Sequence, residues 1–194
     1  PQFPAILICI CVFAFGITII EGAMADWASV YVKEMLGPAA QGTGYGFGLF
    51  AAFMALGRFF GDNLKIKLGT ILVARVFVIS AILGLIILVT ADDLWLALVG
   101  FALTGMGVSV GFPLAVTSAA SIVDKREASY VAFLSLIALI GFLVGPPIIG
   151  FIANVTNLKT GFVGTISTWE QQIKDFPTLA RNGDEFSFLM VVCF

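Results

Sequence analysis

Polar residues along this chain are sparse and gathered in short clusters, and the apolar stretches between them are too long for strands or for ordinary core helices. A helix needs about 20 apolar residues to cross a hydrocarbon core of roughly 30 Å while satisfying its own backbone hydrogen bonds. Five stretches reach that length, over about residues 3–31, 42–60, 70–90, 94–119 and 130–153, and together they make residues 1–153 a membrane-embedded unit. Residues 154–185 form a polar outer loop, and 186–194 open a sixth span that the chain does not complete. Within the loop, Ser167 to Glu170 has capping-box spacing, and Trp169, Ile173 and Phe176 follow at helical intervals. Both a short interfacial helix and an irregular loop remain open there. The strict apolar–polar alternation of a membrane β-barrel is absent, so the predicted class is all-α, a polytopic transmembrane helical bundle.

Composition strengthens that reading. Of the 194 residues, 60% are hydrophobic and 11% charged, against about a quarter charged in soluble domains. The net charge of -2 argues against a nucleic-acid partner, and the lipid bilayer is the expected surrounding. With no histidine, a Ser-His-Asp triad, a His-ligated metal and a His proton relay are excluded. Cys9, Cys11 and Cys193 lie in apolar runs, where a thiol packs as a small hydrophobe. No metal site, cofactor or catalytic residue is expected, and an intramembrane enzyme is disfavoured. The chain opens at Pro1 in one apolar run and stops at Phe194 in another, so it reads as a fragment.

Orientation follows from the basic residues of the short loops. Arg58, Lys65, Lys67 and Arg75 flank the second junction, and Lys125 and Arg126 the fourth, whereas Lys33 stands alone on the other side. The basic side is expected to be cytoplasmic, so the first span runs outward.

Small residues recur at four-residue spacing, as in Gly57/Gly61 and Gly141/Gly145, the latter followed by Pro146 and Pro147. In lipid such residues let helices approach closely. Their two readings are static packing and helix bending during a transport cycle. Charge within a span is the sharper signal, because a lone ionised group at mid-membrane costs at least about 2.5 kcal/mol. Glu21 and Asp26 qualify. Five helical positions set them about 140° apart, so they address different surroundings. Asp26, with Trp27 and Tyr31, could serve as an interfacial anchor, while Glu21 is the first candidate for proton coupling or substrate binding and Asp26 the second. Arg58 and Asp62, one turn apart where the second span is expected to leave the membrane, form a candidate cytoplasmic latch.

The stretch Gly57-Arg58-Phe59-Phe60-Gly61-Asp62-Asn63-Leu64-Lys65-Ile66-Lys67-Leu68-Gly69 resembles the loop signature G-x-x-x-D-R-x-G-R-R of the major facilitator superfamily, in the form found between helices eight and nine. Asp62 fits its acidic position, Lys65 and Lys67 supply basic charge, and Gly57, Gly61 and Gly69 shape the turn; Asn63 stands where a basic residue is usual. Gly141-x-x-x-Gly145-Pro146 resembles the antiporter signature of the same family, and the loop together with Glu21–Trp27 is similar to a bacterial branch of MosC-like and sugar-permease-like carriers.

That resemblance implies the C-terminal half of a twelve-helix carrier, helices seven to twelve, built as two three-helix inverted repeats that face a missing N-terminal half of the same chain. It further implies a small-molecule solute held near mid-membrane and moved by alternating access. Proton-coupled secondary transport, in a bacterial inner membrane, is the expectation for function. An integral membrane subunit or scaffold without a transport cycle is the rival.

Overall fold

The computed structural model describes residues 5–36, 42–122 and 126–155, with the side chains of Ala5, Leu36, Asp62, Thr70, Ile71 and Val155 left aside. The segment 154–185, expected as an outer loop, lies beyond these residues almost entirely, as do the last nine positions and Lys125. Six helices are described: α1 (Ala5–Leu36), α2 (Tyr45–Leu68), α3 (Thr70–Thr90), α4 (Leu94–Val108), α5 (Gly111–Ala120) and α6 (Glu127–Val155).

Apolar side chains cover the outside of this bundle as well as its inside. Leu72, Val76, Ile79, Leu83 and Ile86 form an exposed stripe along α3, and Leu136, Leu139, Leu143 and Phe151 do the same on α6. An outer face of this kind is stable only against lipid or another apolar partner. By length and composition, Ile6–Met35, Leu72–Thr90, Leu94–Ala120 and Glu127–Asn154 can each cross a membrane. The second helix runs past its apolar part: α2 is apolar over Tyr45–Gly61 and continues through Lys65 and Lys67 in its last turn.

α1 is the central element. Leu7, Ile10, Ile17, Ile20, Met24 and Val32 along it are buried almost completely, with α6, α5, α2 and α4 packed around them. Near its C-terminal end, Tyr31 donates its hydroxyl to the carbonyl of Leu88 on α3 and meets Phe101 of α4 edge to face at 5.8 Å between ring centres. Between α1 and α6 the backbones nearly touch. A Cβ on Gly22 would overlap the carbonyl oxygen of Phe142, and one on Gly145 would lie 2.6 Å from that of Ile19. Pro146 lacks the N–H that would serve the Phe142 carbonyl inside α6. That oxygen instead faces the Cα of Gly22, where only a C–H is offered to it.

Two connections are very short. Gly69 alone separates α2 from α3, at φ +83°, a backbone state open to glycine at little strain, and its N–H returns to the carbonyl of Lys65. Asp93 caps α4 by accepting from the N–H of Leu96 at 2.9 Å, a bond worth about 1 kcal/mol.

The fourth span is not one helix. Sequence hydropathy runs unbroken from 94 to 119, yet the structure divides it at Ser109–Val110 into α4 and α5. Pro113 weakens the helix at this point: a continuous helix would offer its nitrogen to the carbonyl of Ser109, and proline has no hydrogen there.

Candidate functional site

The break at Ser109–Val110 is the place where charge and irregular backbone meet inside an apolar bundle. Glycines bring the other helices up to it. A Cβ on Gly57 of α2 would overlap the Ser109 hydroxyl, and one on Gly61 would stand 2.8 Å from Val110 Cγ1. A Cβ on Gly111 would run into Ile17 of α1, and one on Gly107 into the backbone of Ala81 on α3. Gly57 and Gly61, which sequence assigned to the shaping of a loop, therefore seat α2 against the broken span.

Arg58 follows Gly57 and completes the site. Its side chain turns back toward the N-terminal end of α2, as long helical side chains do, so that Nη2 passes 3.6 Å from Met54 Sδ. The guanidinium then does two things at once. Nε donates to the carbonyl oxygen of Ser109 at 3.3 Å, the acceptor that Pro113 leaves without a helical partner. Nη2 donates to Glu21 Oε1 of α1 at 3.4 Å. The cation also stands at the C-terminal end of α4, where the helix dipole favours positive charge. One side chain thereby joins α1, α2 and the α4–α5 break.

The fork geometry matters here. Guanidinium presents donors in several fixed directions, so it can serve a carboxylate and a carbonyl together, which the single ammonium of lysine does less well. The Glu21 side chain is 15% exposed and that of Arg58 45%. The carboxylate is thus held within the bundle, and part of the guanidinium is left facing outward from it. Two opposite charges in contact are far less costly in an apolar interior than either alone.

The sequence-predicted residues fall into separate places. Glu21 and Arg58, assigned to different roles from sequence, are brought together. Arg58, expected where the second span leaves the membrane and within reach of Asp62 or a neighbouring helix, reaches Glu21 in the middle of α1. The side chain of Asp62 lies outside the described residues. Lys65 and Lys67 end α2, and Gly69 makes the turn. Asp26 is exposed on α1, five positions from Glu21 and away from Arg58. Gly141 and Gly145 lie in the close α1–α6 contact. Pro146 accepts at its carbonyl from Trp27 Nε1 at 3.0 Å, and Pro146 and Pro147 border a groove with Asp26 and Trp27. Among the described residues, no group of three or more His, Cys, Asp or Glu side chains is placed to hold a metal ion.

Ser109 is the site residue that sequence reasoning missed. The available signal was a serine four positions before Pro113, flanked by Gly107 and Gly111, within an otherwise apolar run.

Comparison with known proteins places this arrangement. Residues 6–167 match the family model described as Major Facilitator Superfamily. An uncharacterized MFS-type transporter of Yersinia pestis is 33% identical over 148 residues, which cover 76% of this chain and 38% of that protein. An uncharacterized transporter of Sinorhizobium fredii is 30% identical over 142 residues, 73% of this chain and 38% of the relative. The membrane protein MosC of Rhizobium meliloti is 30% identical over 147 residues, 76% of this chain and 36% of MosC. The matched region thus amounts to 36–38% of the length of these curated relatives.

Proposed function

The chain belongs to the major facilitator superfamily, and from that membership we propose that it forms part of a secondary active transporter, one that moves a small solute by alternating access and couples it to protons at Glu21. In this reading the described helices lie in the C-terminal half of a longer carrier, and an N-terminal six-helix half closes the other side of the substrate cavity. The six basic residues counted on one side of the short loops support an inner-membrane orientation with the start of α1 in the cytoplasm.

The observation that carries this reading is the Glu21–Arg58 pair at 3.4 Å, bound through Arg58 to the break in the fourth span. Ionised Glu21 balances the guanidinium and draws it toward α1. Protonated Glu21 loses the charge-charge attraction, while the Ser109 carbonyl still holds Arg58 from the other side. Protonation therefore shifts the balance of forces on a segment that already lacks a continuous helical ladder. Discontinuous helices beside ionisable groups are a recurring transporter device, since freed backbone groups can bind, release and pivot at small cost. Asp26 is the second carboxylate of α1 and takes part on the substrate side.

The test is reconstitution of the intact carrier in vesicles with a pH-sensitive dye trapped inside. A panel of solutes added outside should include some that move protons across the membrane, in either direction. A membrane scaffold moves none with any solute.

A further inference from the structure

Away from the Glu21–Arg58 site, the C-terminal part of α1 and the proline turn of α6 border a wide, open groove of about 330 Å³, lined by Asp26, Trp27, Val30, Pro146, Pro147 and Gly150. From its chemistry we infer that this groove is a subsite for an organic ammonium ion, bound between the Asp26 carboxylate and the Trp27 indole.

The lining offers acceptors and almost no donors. Pro146 and Pro147 have no N–H. The indole N–H of Trp27 is already given to the carbonyl of Pro146 at 3.0 Å. Val30 is aliphatic, and among the described residues no basic one borders the groove. Among the described residues Asp26 has no cationic partner, although it is exposed and sits on a helix long and apolar enough to cross a membrane. A carboxylate in that setting is costly unless a cation or water meets it. An anion or a neutral donor-poor solute would gain nothing from it.

The indole is also held in place for this purpose. Its N–H is tied to Pro146, and its benzo edge rests on Gly150, where an added Cβ would stand 2.8 Å from Cζ2. A ring fixed at one edge and one nitrogen keeps its remaining surface at a constant angle to the groove. Ammonium groups are attracted to an indole face, most strongly when partly desolvated, and a neighbouring carboxylate adds charge complementarity. The two prolines supply an apolar wall for the rest of such a solute. Glu21 is engaged by Arg58, so Glu21 and Asp26 serve different partners, the proton and the cation.

This subsite rests on the transporter reading only for its place in a transport cycle; binding itself can be measured without a gradient. The experiment is calorimetric titration of the purified intact carrier with benzyltrimethylammonium chloride, and with sodium benzenesulfonate as the anionic counterpart. The unaltered protein should bind the ammonium and not the sulfonate. Asp26→Asn should weaken binding at least tenfold and Asp26→Glu by less than about threefold. Trp27→Leu should weaken it severalfold, and Trp27→Phe, which keeps a ring, by less. Unchanged elution and melting of the variants, followed in parallel, separates lost binding from lost folding. Absence of ammonium binding to the unaltered protein, equal binding of the sulfonate, or full binding by Asp26→Asn would each overturn the inference. Asp26-dependent binding without any solute-linked proton movement would overturn the transport reading and leave the subsite standing.

Discussion

The Nε of Arg58 donates to the backbone carbonyl of Ser109, the one oxygen of the fourth span whose helical donor is removed by Pro113. A cation on one helix thus completes the hydrogen bonding of another, and the same guanidinium holds Glu21. Removing it leaves a carboxylate and a carbonyl unserved within an apolar bundle. Arg58→Ala should therefore lower stability by about 1–3 kcal/mol, read as a drop in the melting midpoint of the detergent-solubilised carrier. Arg58→Lys should recover only part of the loss, because one ammonium serves the two acceptors less well.

If Pro113 is what creates the need for Arg58, restoring an N–H at that position should lessen it. Pro113→Ala allows residue 113 to donate to Ser109. The double variant Arg58→Ala, Pro113→Ala should be more stable than the sum of the single effects predicts, with a coupling of about 0.5–2 kcal/mol. Additive effects would show that the Ser109 carbonyl is indifferent to both residues.

Gly57 makes room for the Ser109 side chain, and a Cβ there would overlap its hydroxyl and lie 2.9 Å from its Cβ. Overpacking of this kind costs about 1–3 kcal/mol. Gly57→Ala should destabilise the carrier by that amount, and Ser109→Gly in the same molecule should restore most of it. Ser109→Gly introduced alone should not stabilise. The measurement is again thermal melting, with all four proteins compared in one detergent.

Gly69 is the single residue between α2 and α3 and adopts φ +83°. With ψ at 148° this is an extended conformation at positive φ that is essentially restricted to glycine, and a β-carbon there costs on the order of 1–3 kcal/mol. Gly69→Ala should lower the melting midpoint without altering ammonium binding at Asp26, a separation that calorimetry on the same sample can check.

The bundle class was legible because lipid removes ambiguity: an apolar run as long as the one beginning at Ile6 or at Leu72 has few other destinations. The break in the fourth span was not, since hydropathy averages over a residue such as Ser109 and an interruption of two positions leaves the run apolar. The hydrogen missing at Pro113 removes one helical bond at that break, a signal of backbone chemistry rather than of polarity. The glycines at 57 and 61 were visible as a motif, yet which surface they meet depends on how α2 crosses α4 and α5. Likewise Glu21 and Arg58 are 37 residues apart in the chain, and each looks like an isolated charge until the helices are assembled. Electroneutrality could have suggested the pair, because a carboxylate within one apolar span and a guanidinium at the end of another are each costly alone. Sequence spacing favoured Asp62 as the partner of Arg58, since contact between residues four apart needs no tertiary structure.

The claim that Glu21 couples protons to solute movement is tested most directly by Glu21→Gln in the intact reconstituted carrier, with solute flux followed between about pH 5 and pH 8. Glutamine keeps the size of the side chain and an oxygen for Arg58 but cannot titrate. Flux of the unaltered carrier should respond to an imposed pH gradient and vary across this range; the variant should move solute only down its own gradient, at a rate independent of pH. Gradient-driven flux with an unchanged pH profile in Glu21→Gln would contradict the account.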